Sequence, residues 1–217
     1  MTFLKNISTT KEEKFWSSKF GSEYLERNKF SNQELDQLYI NNFGISRSWL
    51  NKEFVTSLKL KNILEVGCNI GNQLALLQNH GFKNLYGIEI FPKAVETAKT
   101  RTKDINIIQG TVFDIPFKND VFDLVFTAGV LIHINPKDIK KALKEIYRVS
   151  NKYIWGYEYY HPTHISIDYR GNKNRLWKGD FCQMYLDHFP NLKIVKRKKL
   201  KYLDSDNHDE MFLLKKK

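Results

Sequence analysis

Glu65-Val66-Gly67-Cys68-Asn69-Ile70-Gly71 decides how this chain of 217 residues is to be read. It follows a short apolar run, Asn62-Ile-Leu-Glu-Val66, and precedes a helical run through Leu74-Ala-Leu-Leu77. That is a strand, a glycine turn and a helix, in which Gly67 and Gly71 let the backbone come close to a bound molecule. About eighteen residues on, a second strand, Asn84–Ile90, ends at Glu89, where a carboxylate can accept both hydroxyls of a ribose.

Outward from there the pattern repeats. Pro92 opens a helix at its first turn. Ile105–Ile108 and Phe122–Phe126 read as third and fourth strands. Asn135-Pro-Lys-Asp138 starts a helix to about Val149, and Lys152–Tyr157 reads as a fifth strand. Phe181–His188 reads as helix, and Ile194–Leu203 and Met211–Leu214 as two last strands around an acidic turn at residues 204–210. Alternating strands and helices imply an α/β domain with a mainly parallel sheet covered on both faces, and ligands at the carboxyl ends of its strands. Residues 10–58 read as helical, with apolar stripes at Phe15, Trp16, Phe20 and Tyr24 and at Leu35, Leu38, Tyr39 and Phe43. The expected division is a helical cap at 1–58 and a ligand-binding domain at 59–217.

The nucleotide-site alternatives differ in their glycines. A dinucleotide fold wants G-x-G-x-x-G, and here Asn69 and Asn72 stand where the second and third glycines would be. A phosphate-binding P-loop needs a Gly-Lys-Ser/Thr ending, which is missing. A ligand with no pyrophosphate, such as adenosylmethionine, needs a close turn, a ribose acid and an adenine pocket, and matches better.

Residues 60–158 resemble the class I methyltransferases, which are Rossmann-like with a seven-stranded sheet and an antiparallel final strand. Leu64–Gly71 looks like their first motif and Tyr86-Gly-Ile-Glu89-Ile90 like the second. Gly110-Thr111-Val112-Phe113-Asp114-Ile-Pro-Phe117 resembles the third, and Phe122–Ile134, with Thr127-Ala128-Gly129, the fourth. The resemblance implies S-adenosyl-L-methionine as cofactor, with S-adenosyl-L-homocysteine as product. It implies contacts from Glu65, Gly67, Cys68, Asn69, Gly71, Glu89, Ile90, Thr111, Val112, Phe113, Asp114, Thr127, Ala128 and Gly129. Thr111 departs from the pattern by replacing the acid that commonly meets the adenine amine. That contact then falls to its hydroxyl, to Asp114 or to the backbone at Val112 and Phe113.

A second resemblance covers nearly the whole chain. Phe15–Asn28, Phe126–Pro136, Glu158-Tyr-Tyr-His-Pro-Thr163, Tyr169-Arg-Gly171 and Phe181–Asp187 are similar to the methylases associated with pseudaminic acid biosynthesis. It implies a small-molecule acceptor, a sugar or nonulosonic-acid precursor of surface glycans, acidic or nucleotide-linked. Trp16, Tyr24 and Asn28 are expected in a lid over the cofactor, where an aromatic ring attracts a sulfonium. His133 and Glu158, after the fourth and fifth strands, are the expected catalytic groups, His133 as a proton acceptor. Tyr159, Tyr160 and His161 are expected to hold the acceptor. Arg170 and Arg175 are expected to clamp an anionic group.

Hydrophobic residues make up 41 % of the chain, which argues against disorder. Cys68 and Cys182 form no metal-ligating cluster, fit a reducing cytoplasm and lead us to expect no metal. No apolar run approaches the ~18 residues of a membrane span, and the polar start MTFLKNISTTKEEKF lacks a signal-peptide segment. The net charge of +11 would suit nucleic acid, but the lysines are scattered as in an AT-rich composition. The fourth strand also lacks the Asn/Asp-Pro-Pro-Tyr/Phe box of amino-directed nucleic-acid enzymes. A nucleic-acid methyltransferase and a non-catalytic adenosylmethionine sensor are the competing functions.

Overall fold

A computed structural model describes residues 10–217. The expected cap therefore has its first nine residues, and most of the polar start, outside the described residues. Four helices come first: α1 (Lys11–Trp16), α2 (Lys19–Arg27), α3 (Asn32–Phe43) and α4 (Arg47–Val55). Each starts at a hydroxyl residue, Thr10, Ser18, Ser31 or Ser46, whose oxygen accepts a first-turn N–H. Thr10 with Glu13, and Ser31 with Glu34, form reciprocal capping boxes. The first of these carries two acidic side chains to the mouth of the site.

The rest alternates as the sequence predicts: β1 (Asn62–Val66), α5 (Asn72–Asn79), β2 (Asn84–Glu89), α6 (Pro92–Arg101), β3 (Ile105–Gln109), β4 (Phe122–Ala128), α7 (Ile139–Val149) and β5 (Ser150–Tyr160). After β5 come β6 (Ile165–Tyr169), β7 (Asn172–Lys178), α8 (Phe181–His188), β8 (Leu192–Lys201) and β9 (His208–Lys216). Seven strands form one sheet in the order β3-β2-β1-β4-β5-β9-β8. β1 to β5 pair in parallel, and the final strand β9 runs antiparallel to both its neighbours. This is the expected mixed α/β sheet. The chain order reverses between β1 and β4, so the crevice for a ligand opens over their carboxyl ends.

Alternation along the strands sends residues to two cores. Leu64, Val66, Ile88 and Val125 pack with Leu143 and Ile146 of α7 on one face. Ile63, Leu85, Leu124 and Phe126 pack with Phe54, Leu76 and Leu77 on the other. Among the described residues no helix is long and apolar enough to cross a membrane.

Three stretches differ from expectation. β5 continues to Tyr160, so Glu158, Tyr159 and Tyr160 lie within a strand rather than after it. The polar stretch around Arg170 is a β6–β7 hairpin whose tip, Arg170 and Gly171, has φ of 51° and 77°. Two successive positive φ values match the twist of a two-residue hairpin turn. Finally, β9 begins at His208, inside the segment read as an acidic turn.

Candidate active site

The turn after β1 is held by its own backbone and by Glu89. Gly67 and Cys68 both donate to the Ile88 carbonyl, at 2.8 and 3.0 Å. Gly67 has φ 73° and sits so close to Val130 that a Cβ would come within 2.6 Å of a Val130 methyl. Asn69, in place of a glycine, still takes φ 46°, a conformation its short polar side chain tolerates. The two carboxylate oxygens of Glu89 accept the N–H groups of Asn69 and Phe91, each at 2.9 Å. Glu89 thereby ties the turn after β1 to the loop after β2, and its burial raises its pKa.

These loops line one end of a cavity of about 330 Å³. Glu65, Gly67, Cys68, Asn69, Glu89, Ile90, Ala128 and Gly129 line it, as do Thr111, Val112 and Phe113. Trp16, Tyr24 and Asn28 come to it from α1, α2 and the residue after α2. His133, in a short 3-10 turn (Leu131–His133), and Tyr159 also face it.

Glu65 is 2 % exposed, and its Oε2 finds no partner among the described residues. Burial lifts its pKa well above the carboxylate range, opposed by the Arg47 guanidinium. Arg47 is itself fully buried. It donates to Asn51 and to the Tyr39 hydroxyl at 2.9 Å each, against the rings of Tyr39, Trp155 and Tyr157. A buried, unpartnered carboxylate beside a glycine turn suits the ammonium of an amino-acid moiety, and Glu89 retains lone pairs for ribose hydroxyls. The residues present therefore fit adenosylmethionine.

Thr111 shows how the missing adenine acid is replaced in space. Its hydroxyl donates to Glu13 Oε1, whose other oxygen caps the N–H of Thr10 at 2.7 Å. Glu13 lines the cavity next to Thr111, so α1 brings a carboxylate to the position where the third motif lacks one.

His133 donates its Nδ1–H to the Arg175 carbonyl at 2.8 Å, which fixes the tautomer with an Nε2 lone pair. Burial pulls its pKa down to about 4. The Trp16 ring stands 4.4 Å away and the Tyr169 ring 5.3 Å.

Several expected residues lie elsewhere. Glu158 is 1 % exposed beneath the site. It accepts the N–H groups of Val130 and Ile132 at 3.3 and 3.4 Å and a bond from Thr127. It thus braces the loop that carries His133, off the cavity wall, because β5 runs on past it. Burial pushes its pKa up to about 7. Thr127 lies with it below the cavity. Gly71, with φ 82°, is the N-cap of α5, and Asp114 closes a small bridge with Thr111. Tyr160 carries the Lys199 ammonium over its ring, and His161 bonds locally to Thr163. Arg170 sits at the hairpin tip. Arg175 pairs with Glu12 at 3.6 Å and lies over the Phe15 ring, 4.8 Å from its centroid. Neither arginine lines the cavity, so the expected anion clamp is not assembled.

The far end of the cavity was not foreseen. It is built by Leu35, Tyr39 and Phe43 of α3, Tyr157 of β5, Tyr202 and Asp209. Asp209 was missed because the 204–210 segment read as a turn. It shares a strand face with Met211 and Leu213, but His208-Asp-Glu-Met-Phe-Leu-Leu214 does not alternate, so pairing with β5 and β8 is what reveals it.

Residues 64–152 match the profile of a methyltransferase domain family. The chain is 32 % identical over 117 residues to an uncharacterized protein of Methanocaldococcus jannaschii, covering 52 % of this chain and 42 % of that protein. It is 29 % identical over 100 residues to norajmaline N-methyltransferase of Rauvolfia serpentina, covering 43 % and 34 %. The chain thus spans less than half the length of these curated relatives. The solved Burkholderia thailandensis 1,6-didemethyltoxoflavin-N1-methyltransferase, with bound 1,6-didemethyltoxoflavin and S-adenosylhomocysteine, superposes with TM-score 0.66 at 11 % identity, over 94 % of this chain and 86 % of that one. Residues 64–152 are thus similar to a methyltransferase domain, and the fold is the one seen in solved S-adenosylmethionine-dependent methyltransferases.

Proposed function

We propose that the protein transfers a methyl group from S-adenosylmethionine to a small-molecule acceptor of the sugar class, a precursor of surface glycans, in the cytoplasm. The observation that carries this reading is the single cavity wall that runs from Glu89 and Thr111 to the tyrosines of α3 and β5. One end suits a nucleoside. The other offers aromatic faces to sugar C–H groups and hydroxyls to sugar oxygens. Two free, buried cysteines support a reducing compartment.

The cofactor supplies an activated methyl group on a sulfonium. The chain's residues hold, orient and exclude water. Glu65 faces the amino-acid end, Glu89 the ribose, and Glu13 with the Val112–Phe113 backbone the adenine edge. Trp16 and Tyr24 close the mouth as a lid, so that the displacement occurs away from water. His133 Nε2, neutral at physiological pH, accepts a hydrogen bond from the acceptor and takes its proton as the new bond forms.

An anionic acceptor is disfavoured. Among the described residues no lysine or arginine lines the cavity, whereas Glu12, Glu13, Glu65, Glu89 and Asp209 do. The test is incubation with labelled cofactor and a panel of sugars and sugar nucleotides, in parallel with tRNA and DNA. Label on sugars supports the reading. Label on nucleic acid alone overturns it.

A further inference from the structure

The cavity carries the opposite sign to the molecule around it. The chain has a net charge of +11, yet five carboxylates line the cavity. Four of them have identifiable work. Glu12 pairs with Arg175, Glu13 bonds Thr111 and Thr10, Glu89 takes two backbone N–H groups, and Glu65 stands at the glycine turn opposite Arg47. Asp209 is left over.

Asp209 is 1 % exposed, on β9 opposite Tyr159 of β5. Its Oδ2 accepts the hydroxyls of both Tyr157 and Tyr202, the latter at 3.2 Å. Its Oδ1 receives no hydrogen bond from the described residues, and the side chain lines the cavity. No ion pair within 4.0 Å reaches it among the described residues. Two cations act on it from beyond ion-pair distance: Lys178, which donates to Asn207 at 2.6 Å, and Arg47, which donates to Asn51 and Tyr39 and keeps one guanidinium nitrogen without a partner among the described residues. Tyr39 and Tyr157 stand with ring centroids 5.4 Å apart beside it, and Phe43 packs at 4.5 Å on Tyr202. A buried carboxylate with one free oxygen, walled by aromatic rings, is what a protonated amine needs: a charge-assisted acceptor and negative ring faces. A neutral hydroxyl would make a weaker bond without charge assistance, and an anion would be repelled.

Resting on the methyltransferase reading, we infer that Asp209, held by Tyr157 and Tyr202, anchors an ammonium group of the acceptor, so that the substrate class is an amine, such as an amino sugar. Burial pushes the Asp209 pKa up to about 7, against the two tyrosine hydroxyls and the more distant charges of Lys178 and Arg47. An ammonium on Oδ1 would restore its ionised form.

The experiment measures equilibrium binding by calorimetry to the full chain saturated with S-adenosylhomocysteine. The probes are matched triples: benzylamine, benzyl alcohol and benzoate, then glucosamine, N-acetylglucosamine and glucuronate. The inference expects the amine of at least one triple to bind about tenfold or more tightly than its neutral and anionic partners. It expects Asp209→Asn, which keeps the shape and the tyrosine contacts, to abolish that preference. It is overturned if no amine binds at up to about 10 mM, a concentration at which even a weak ammonium–carboxylate contact registers. It is equally overturned if neutral or anionic probes bind as well, or if Asp209→Asn keeps the preference. Adenosylmethionine binding by wild type and variant is measured alongside. Its loss in the wild type would sink the methyltransferase reading, and its retention confines any failure to the amine site.

Discussion

Asp209→Asn should change the pH dependence of stability in a direction that can be worked out in advance. Burial raises the Asp209 carboxyl in the folded protein from 3.8 to about 7. A group whose folded pKa is raised contributes stability that is full below its unfolded pKa and is lost as pH rises through the folded value. The folded chain therefore holds a proton that the unfolded chain has released between about pH 4 and 7. Roughly 3 units at 1.36 kcal/mol each give about 4 kcal/mol over the full window, and about 2 to 3 kcal/mol between pH 5 and pH 8. Asparagine does not titrate, so urea unfolding at these two pH values isolates the effect as the difference between wild type and variant. Relative to the variant, wild type should lose about 2 to 3 kcal/mol on going from pH 5 to pH 8. A difference constant within ~0.5 kcal/mol across that range, about the effect of an ordinary surface substitution, would show that Asp209 is not a desolvated carboxyl and would refute the reasoning.

Other predictions concern the frame of the site. Gly67→Ala forces a left-handed φ on a side chain and pushes its Cβ to 2.6 Å from a Val130 methyl, so it should cost about 2 to 4 kcal/mol in urea unfolding. A cost under ~0.5 kcal/mol would mean the turn has another shape. Arg47→Ala leaves Asn51 and the Tyr39 hydroxyl without their buried partner and should lower stability by about 3 kcal/mol in the same assay. A variant as stable as wild type would contradict the buried position of that guanidinium. His133→Ala should lower kcat about 100-fold or more with little change in adenosylmethionine Kd, and unchanged turnover would remove it from the chemistry.

The fold was legible because its signals are local. Strand, glycine turn, helix and acid at Glu65–Glu89 leave few alternatives, and Pro92 and the Asn62–Val66 run mark their elements directly. The end of the cavity around Glu65, Glu89 and Thr111 was legible for the same reason: those residues sit within a few positions of strand ends. The end around Asp209 was not. Asp209 is flanked by Asp204, Asp206 and Glu210, a composition that strands avoid, and only pairing with β5 and β8 makes it a strand. The Arg197–Glu210 pair at 2.7 Å is part of what that pairing gains, and it is a contact between distant positions. Glu158 shows the reverse error. Its place after an apolar run suggested a ligand edge, but β5 continues and turns it under the 130–133 loop. Arg175 reads as an anion ligand because it is an arginine in a polar stretch, and the structure pairs it instead with Glu12 of α1. Glu13 escaped notice although Thr10-x-x-Glu13 is a readable capping box, because nothing local says that the box leans on Thr111.

The central claim is that the turn after β1 and the carboxylate of Glu89 form the seat of S-adenosylmethionine. Isothermal calorimetry of wild type and Glu89→Ala with S-adenosylmethionine tests it most directly. Wild type should bind with a micromolar Kd. Glu89→Ala, which removes the ribose acceptor and the tie between Asn69 and Phe91, should bind at least about 30-fold more weakly, equivalent to roughly 2 kcal/mol. Absence of binding by wild type, or undiminished binding by the folded variant, would contradict the account.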